Sequence, residues 1–305
     1  KAFLNRLKKV TEVDYFELYR TLFTEKELFL KISSGLKLPD NIDKIIDKTR
    51  SDLSNGLICQ EDCAPVLYLR LMLEGTDSFP EIKQVVIDEA QDYYPMHYKV
   101  FKLLFKEAYL TVLGDVNQSI LEVEKKPFYK SAAEILDKKK SGRIFLNKSY
   151  RSSYEISSFS QRLLDGKSDT IPLERHEAPP VVEFRPNLRQ IDLAVTSQVE
   201  KFFREGYESV AVLCRTAAES ERLYARLKTS SNIKLINSVD EEISKGLVVM
   251  PVFMAKGLEF DAVIVYNASE ENFSSQLEKR LLYIACTRAL HRLVLYYTGD
   301  KSPLI

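Results

Sequence analysis

The chain has 305 residues, 45% of them hydrophobic, and its 44 lysines and arginines balance 44 aspartates and glutamates. This length suffices for one large or two ordinary domains with a buried core. The zero net charge argues against a uniformly basic nucleic-acid binder, although it allows a local basic channel. No apolar run reaches the ~18–20 residues that span a bilayer, and the amino terminus lacks a signal-peptide core. We therefore expect a cytoplasmic protein with no membrane partner.

The first part of the chain is predicted to be helical and to lead into a parallel sheet. Apolar residues recur at helical spacing up to residue 75, and we place this helical segment at residues 1–80. Strands are then predicted at residues 84–87, 109–113 and 143–146. A helix-compatible segment at residues 95–107 separates the first two strands. Such alternation is typical of an α/β fold.

A proline-rich stretch and a second set of strands follow. Residues 166–186 contain four prolines and are predicted to link two lobes. Further strands are predicted at residues 181–185, 209–214, 247–252, 262–266 and 292–297, and further helices at 217–227 and 278–290. The chain is therefore predicted to hold two strand sets on either side of the linker.

Acidic and amide side chains follow the first strand directly, in the run VVIDEAQD at residues 85–92. Ligands of open α/β sheets bind outside the carboxyl ends of the strands. Asp88 is therefore a candidate ligand for Mg²⁺, and Glu89 is a candidate for activating an attacking water. Taken alone, such a pair also fits a solvated acidic turn.

Four further motifs follow in a fixed order, at residues 110–120, 144–153, 250–261 and 278–289. Together with residues 85–92 they resemble motifs II to VI of the UvrD/Rep-like superfamily 1 helicases. The resemblance covers roughly residues 60–300. It implies RecA-like parallel sheets flanked by helices, as in P-loop NTPases, with ATP and Mg²⁺ as cofactors. It also implies a nucleic-acid partner, with single-stranded DNA expected.

The resemblance assigns roles to residues of three of these motifs. Gln118 stands where the family has a γ-phosphate sensor, since an amide can donate to a phosphate and accept from a water. Arg151 and Arg288 stand where the family has arginine fingers, and Arg288 is placed within a helix at residues 281–290. Tyr150 stands where the family stacks a tyrosine on the nucleotide base.

The motif at residues 250–261 is implied to face both nucleotide and nucleic acid. Glu259 is the candidate for the nucleotide sugar hydroxyls, and Gly257 allows close approach of the backbone. Lys256 and Phe253 are candidates for nucleic-acid contact. Phe253 replaces a histidine that is usual in the family, and it fits either stacking on a base or packing in the core.

The resemblance also divides the chain into domains. Residues 1–80 correspond to a helical remnant of the 1A and 1B region, residues 81–165 to an incomplete first RecA-like lobe and residues 166–305 to a second lobe. The short interval between Arg151 and Lys256 leaves no room for a large inserted 2B domain. This spacing resembles the helicase IV and RNA-polymerase-recycling (HelD-like) branch. RNA polymerase is thus a possible partner of a protein expected to be monomeric.

No phosphate-binding loop of the pattern G-x-x-x-x-G-K-[ST] occurs in the sequence. One explanation is that the chain is the carboxyl-terminal portion of a longer ATP-dependent helicase or translocase, whose loop lies upstream. The other is a degenerate paralogue, acting as a non-catalytic protein-interaction module. In either case, we expect the 305-residue chain alone not to hydrolyse ATP, since that loop supplies much of the triphosphate contact.

Overall fold

The computed structural model describes residues 13–76, 79–119, 128–164, 170–228, 233–237 and 245–305. Contacts divide the chain into two compact units. Unit 1 comprises Lys1–Gly114 and Val123–Ser141, and unit 2 comprises Asp115–Glu122 and Gly142–Ile305. Unit 2 thus takes in residues that the predicted boundary at 165/166 leaves in the first lobe. The correspondence of these units to helicase lobes stays a prediction.

The described part of unit 1 starts with four helices, α1 (Tyr15–Thr24), α2 (Lys26–Ile32), α3 (Ile42–Ser54) and α4 (Gln60–Glu74). The side chain of Asp14 caps α1 by accepting a hydrogen bond of 2.9 Å from the amide of Glu17. Phe23, Ile46 and Leu53 are buried together between these helices. The helical prediction is therefore confirmed where the structure describes this segment; residues 1–12 and 77–78 lie outside the described residues.

The sheet of unit 1 is a parallel pair, β1 (Gln84–Ile87) and β2 (Tyr109–Val112). Helices α5 (Pro95–Leu104) and α6 (Phe128–Leu136) accompany it. Helix α6 buries Phe128, Ala132 and Leu136, which recur at every fourth position and so form one apolar face. The two strands end beside each other, which brings the residues after β1 close to those after β2.

The strand predicted at residues 143–146 is wrong. The segment lies in no strand pair of the described residues, and the side chains of Ile144, Phe145 and Leu146 are 85%, 67% and 89% exposed. A strand requires a neighbour for its backbone hydrogen bonds, which an apolar run cannot supply by itself. The prediction rested on the apolar run alone, and such a run does not indicate whether a neighbouring strand is present to pair with it.

Within the described residues, unit 2 is built on a six-stranded, fully parallel sheet in the order β3-β8-β7-β4-β6-β5. The strands are β3 (Val181–Phe184), β4 (Ser209–Cys214), β5 (Ile233–Leu235), β6 (Gly246–Pro251), β7 (Phe260–Val265) and β8 (Ala289–Tyr297). The helices are α7 (Tyr154–Arg162), α8 (Leu188–Arg204), α9 (Ala217–Leu227) and α10 (Gln276–Thr287). The expected α/β fold with parallel sheets and flanking helices is confirmed.

The centre of this sheet is covered on both faces. Apolar clusters on the two faces take alternate residues of β4, with Ala211 and Leu213 in one cluster and Val210 and Val212 in the other. This arrangement explains why the predicted strands of unit 2 read as continuous apolar runs. The sequence analysis missed β5, α7 and α8. Of the predicted linker, residues 166–169 lie outside the described residues, and the rest includes β3.

Within the described residues, every helix is too short or too polar to span a lipid bilayer.

One buried carboxylate in unit 2 has a defined set of partners. Asp192 on α8 accepts hydrogen bonds from Arg226 (2.6 Å) and from the hydroxyl of Tyr266 (2.9 Å). The Asp192 side chain is only 12% exposed, whereas that of Arg226 is 40% exposed. A carboxylate buried in this way requires its cation, because removing one partner leaves an uncompensated charge.

We therefore expect Arg226→Met to lower the free energy of unfolding by about 1–3 kcal/mol, less than for a fully buried pair because Arg226 is partly exposed. Urea denaturation measures the change, with the exposed Arg222→Met on the same helix as the control. Adding Asp192→Asn to Arg226→Met should recover part of the loss. Equal stability of the two arginine variants would contradict the role of this pair.

Candidate functional site

The turn after β1 holds the two candidate carboxylates of unit 1. Asp88 is exposed, and its Oδ1 accepts a hydrogen bond of 2.8 Å from the amide of Glu89. Glu89 has φ 49° and ψ 39°, the left-handed conformation that non-glycine residues seldom adopt. Its Oε2 accepts a hydrogen bond of 2.6 Å from the buried amide of Gln91. Such uncommon backbone geometry concentrates at functional sites.

The end of β2 packs directly beneath this turn. The amide of Ala90 donates to the carbonyl of Leu113 at 2.8 Å. At Gly114, a Cβ atom would lie 2.5 Å from Oε1 of Gln91 and 2.7 Å from Cζ of Phe128. Only glycine leaves room for Gln91, and Gln91 in turn fixes the carboxylate of Glu89. The sequence analysis named residues 110–120 as a motif but did not identify this contact.

In unit 2, the candidate sensor and one candidate finger are in direct contact. Gln118 ends a short 3₁₀ turn (Val116–Gln118), and its Nε2 donates to Oδ2 of Asp115 at 2.9 Å. Its Oε1 accepts a hydrogen bond of 2.7 Å from Nη2 of Arg288. Each end of the Gln118 amide is thereby engaged, which fixes its orientation.

Arg288 is buried, with an exposed fraction of 1%. Besides Gln118, its guanidinium donates to the carbonyls of Ile284 and Leu258, each at 3.2 Å. Arg288 is not inside a helix as predicted: α10 ends at Thr287, and Arg288 is the residue that caps it. The chain turns from α10 into β8 here, so the backbone changes direction at this arginine.

The second candidate finger has a different partner. Nε of Arg151 lies 2.5 Å from Oε1 of Glu259, and the two side chains are 38% and 43% exposed. Exposed ion pairs of this kind contribute about 0–1 kcal/mol. The side chain of Tyr150 is 66% exposed, with the ammonium of Lys148 5.3 Å from its ring centroid. Arg151 and Tyr150 are therefore accessible, whereas Arg288 is buried.

Tyr283 is a member of this site that the sequence analysis missed. It lies on α10 and is buried, and burial raises the pKa of its hydroxyl. The charge of Asp115 raises this pKa further, while those of Arg288 and Arg151 lower it. The charges of Asp115 and of both candidate arginine fingers therefore all affect the pKa of the Tyr283 hydroxyl. Its position within residues 278–289 was the available signal, but its helical spacing is equally typical of a core residue.

The segment between β6 and β7 carries the remaining candidates. Phe253 lies in a 3₁₀ turn (Val252–Ala255) and is 48% exposed, which favours solvent access over core packing. Gly257 has φ 79°, the left-handed conformation that favours glycine. Because β6 and β7 are parallel, this segment must return from the carboxyl edge of the sheet to the amino edge. Lys256 and Glu259 follow Phe253 along that return.

Two segments of the chain match family models. Residues 76–124 match the UvrD/REP helicase N-terminal domain, and residues 246–296 match the UvrD-like helicase C-terminal domain. The chain carries UvrD-like helicase domains. Asp88, Glu89 and Gln118 fall within the N-terminal helicase match, and Glu259 and Arg288 fall within the C-terminal helicase match.

Among solved structures, the chain is similar to the C-terminal domain of a possible DNA helicase from Lactobacillus plantarum WCFS1. The sequence identity is 35%, the alignment covers 51% of this chain and 91% of that chain, and the TM-score is 0.45. A comparison with curated proteins finds no match.

Among the residues that the structure describes, no three or more histidine, cysteine or acidic side chains are grouped so that they could hold a metal ion. Mg²⁺ in nucleotide enzymes commonly takes one or two carboxylates and completes its shell with phosphate oxygens and waters. The exposed carboxylate of Asp88 at the end of β1 fits that kind of site. Such an ion would thus depend on the nucleotide for most of its ligands.

The packing beneath the turn of the N-terminal helicase match yields a stability prediction. We expect Gly114→Ala to lower the free energy of unfolding of unit 1 by about 1–3 kcal/mol, because the new methyl group overlaps Gln91 and Phe128. Gly142→Ala is the matched control, since a Cβ atom there meets nothing within 4 Å. Chemical denaturation of both variants measures the difference, and an unchanged Gly114→Ala protein would show that this packing is not required.

Proposed function

We propose that this chain is part of a superfamily 1 helicase or translocase that couples ATP hydrolysis to movement on nucleic acid. The observation that carries the proposal is the hydrogen bond between Arg288 and Gln118. It joins a buried guanidinium to an amide from a distant part of the sequence. An arginine and an amide held together in this way suit the detection and stabilisation of a phosphoryl group.

In the proposed reaction, bound ATP and Mg²⁺ supply the phosphoryl group and the metal that neutralises its oxygens. Asp88 would hold the metal, and Glu89, fixed by Gln91, would orient and deprotonate the attacking water. Arg151 and Arg288 would stabilise charge on the transferring phosphoryl group. The accessible ring of Tyr150 would stack on the base, and Glu259 would bind the sugar hydroxyls.

We further propose that single-stranded DNA is the nucleic acid. The exposed ring of Phe253 can stack on a base, since stacking tolerates any base. Lys256 can contact a phosphate. The zero net charge of the chain limits non-specific attraction to such local contacts.

We also propose that the protein belongs to the HelD-like branch and has RNA polymerase as a partner. The short interval between Arg151 and Lys256 supports both proposals. We also propose a monomeric, cytoplasmic protein.

A non-catalytic interaction module is the alternative function, favoured by the missing phosphate-loop pattern. Two features favour the ATP-dependent helicase or translocase: the Glu89 carboxylate hydrogen-bonded to Gln91 and the Arg288–Gln118 pair. An interaction module would not require either of them. ATP turnover by the full-length protein distinguishes the two.

In the full-length protein, Arg151→Ala and Arg288→Ala should each reduce ATP turnover by roughly 10²-fold or more, because arginine fingers act mainly on the transition state. Steady-state ATPase assays measure this, with the exposed Arg222→Ala as the control. Near-wild-type turnover in either finger variant would remove that arginine from the mechanism. The 305-residue chain alone should stay at background turnover.

The chain should bind single-stranded DNA weakly, with an affinity that falls steeply as salt increases. Phe253→Ala should weaken binding by roughly 1–3 kcal/mol if its ring stacks on a base. Phe203→Ala, which removes a partly exposed ring on α8, is the control. Fluorescence anisotropy at two salt concentrations measures both. A sub-micromolar dissociation constant that does not change with salt concentration would contradict this mode of binding.

A further inference from the structure

A short stretch of three residues, Arg175 to Glu177, binds both the segment of the candidate finger Arg151 and the start of β8. We call these three residues the strap. Nη2 of Arg175 donates one hydrogen bond to the carbonyl of Arg151 and one to the carbonyl of Leu290, each at 2.8 Å. A guanidinium nitrogen of this type has two hydrogens, so both are used. The carbonyl oxygens of residues 151 and 290 are thereby each held one hydrogen-bond length from the same nitrogen.

The rest of the strap is fixed on both sides. On the α7 side, His176 lies 2.8 Å from Oε1 of Glu155, and the amide of Glu177 donates to Oε2 of Glu155 at 3.0 Å. These bonds hold the pKa of the Glu155 carboxyl below its usual range, with the Glu177 amide as the larger cause. On the β8 side, the carboxylate of Glu177 pairs with His291 at 2.8 Å and Arg292 at 3.1 Å.

The finger segment itself also contacts β8. The hydroxyl of Ser152 donates to the carbonyl of Ala289 at 2.6 Å, and the amide of Ser153 donates to the carbonyl of Leu290 at 3.1 Å. Ala289 and Leu290 directly follow Arg288. The backbone that carries one candidate finger is therefore attached to the backbone that carries the other.

We propose that Arg175 is a positioning residue, whose guanidinium holds the backbone of Arg151 in register with the start of β8 and so aligns Arg151 with Arg288. This inference rests on the proposed function for its catalytic consequence. It assigns Arg175 no contact with nucleotide. Misplacement of a catalytic group by about 1 Å can cost up to 10²-fold in rate, so two backbone hydrogen bonds suffice for a measurable effect.

The first test is hydrogen exchange of the 305-residue chain. Arg175→Met keeps an unbranched apolar stem but removes the guanidinium donors, and it should speed exchange of the amides of Ser153 and Tyr154. The latter amide donates to the carbonyl of Arg175 at 2.9 Å. Arg204→Met, an exposed arginine on α8, is the control and should leave these amides unchanged. Unchanged exchange in Arg175→Met would overturn the positioning role.

The second test is the kinetics of ATP hydrolysis by the full-length protein. Arg175→Met should lower kcat roughly 10-fold with KM changed less than about 2-fold, and Arg175→Lys should recover part of the loss. In an Arg151→Ala background, Arg175→Met should cause no further loss, because it acts through Arg151. A full additional loss there would overturn the inference.

The two tests separate this inference from the proposed function. If the wild-type full-length protein hydrolyses no ATP, the proposed function fails, and the alignment has no catalytic consequence; the exchange experiment then decides whether the strap positions Arg151. If Arg175→Met does not fold, Arg175→Gln, whose shorter side chain cannot reach both carbonyls, takes its place in both experiments. Normal turnover in a folded variant with faster exchange would overturn the claim that the alignment matters.

Discussion

Burial of the Arg288 guanidinium is the constraint on which the site in unit 2 depends. A buried cation costs free energy unless its donors are satisfied, and here the carbonyls of Leu258 and Ile284 and Oε1 of Gln118 accept hydrogen bonds from it. These acceptors come from three segments that are far apart in the sequence. The group cannot stay buried unless all three are in place, so the residues around Gln118 belong with unit 2 although they directly follow β2 of unit 1.

The segment that returns the chain from β6 to β7 also contacts the buried Arg288. Phe253 lies near the carboxyl edge of the sheet and Glu259 near its amino edge, with Gly257 in a left-handed conformation between them. Leu258, within the same segment, accepts from Arg288. A ligand that displaces Phe253 would act on a segment that is hydrogen-bonded to the arginine site. In the proposed motor, this short connection provides a physical route between nucleic acid and nucleotide inside one unit.

Elements whose structure follows from burial alone, such as the apolar strands β4 and β7, were predicted correctly from the sequence. Prediction failed where the structure depends on contacts between residues far apart in the sequence. The apolar run at residues 143–146 lies in no strand pair of the described residues, and its side chains are exposed. Strand β5 has three residues, too few for a clear pattern. Helix α8 could have been found, because Ile191, Val195 and Val199 recur at every fourth position. The site residues were recognised by motif, whereas the roles of Tyr283 and Arg175 require distances.

The two candidate fingers differ in how readily they can change partners. Arg151 forms an exposed ion pair with Glu259, which contributes about 0–1 kcal/mol, so a phosphate oxygen can displace this carboxylate at little cost. Arg288 is held by several hydrogen bonds in a buried position, and releasing it would leave acceptors unsatisfied. In the proposed reaction, Arg288 therefore acts as a fixed charge and Arg151 as the group that moves. A mobile side chain is useful only if its backbone is fixed, and the hydrogen bonds from Arg175 supply that anchor.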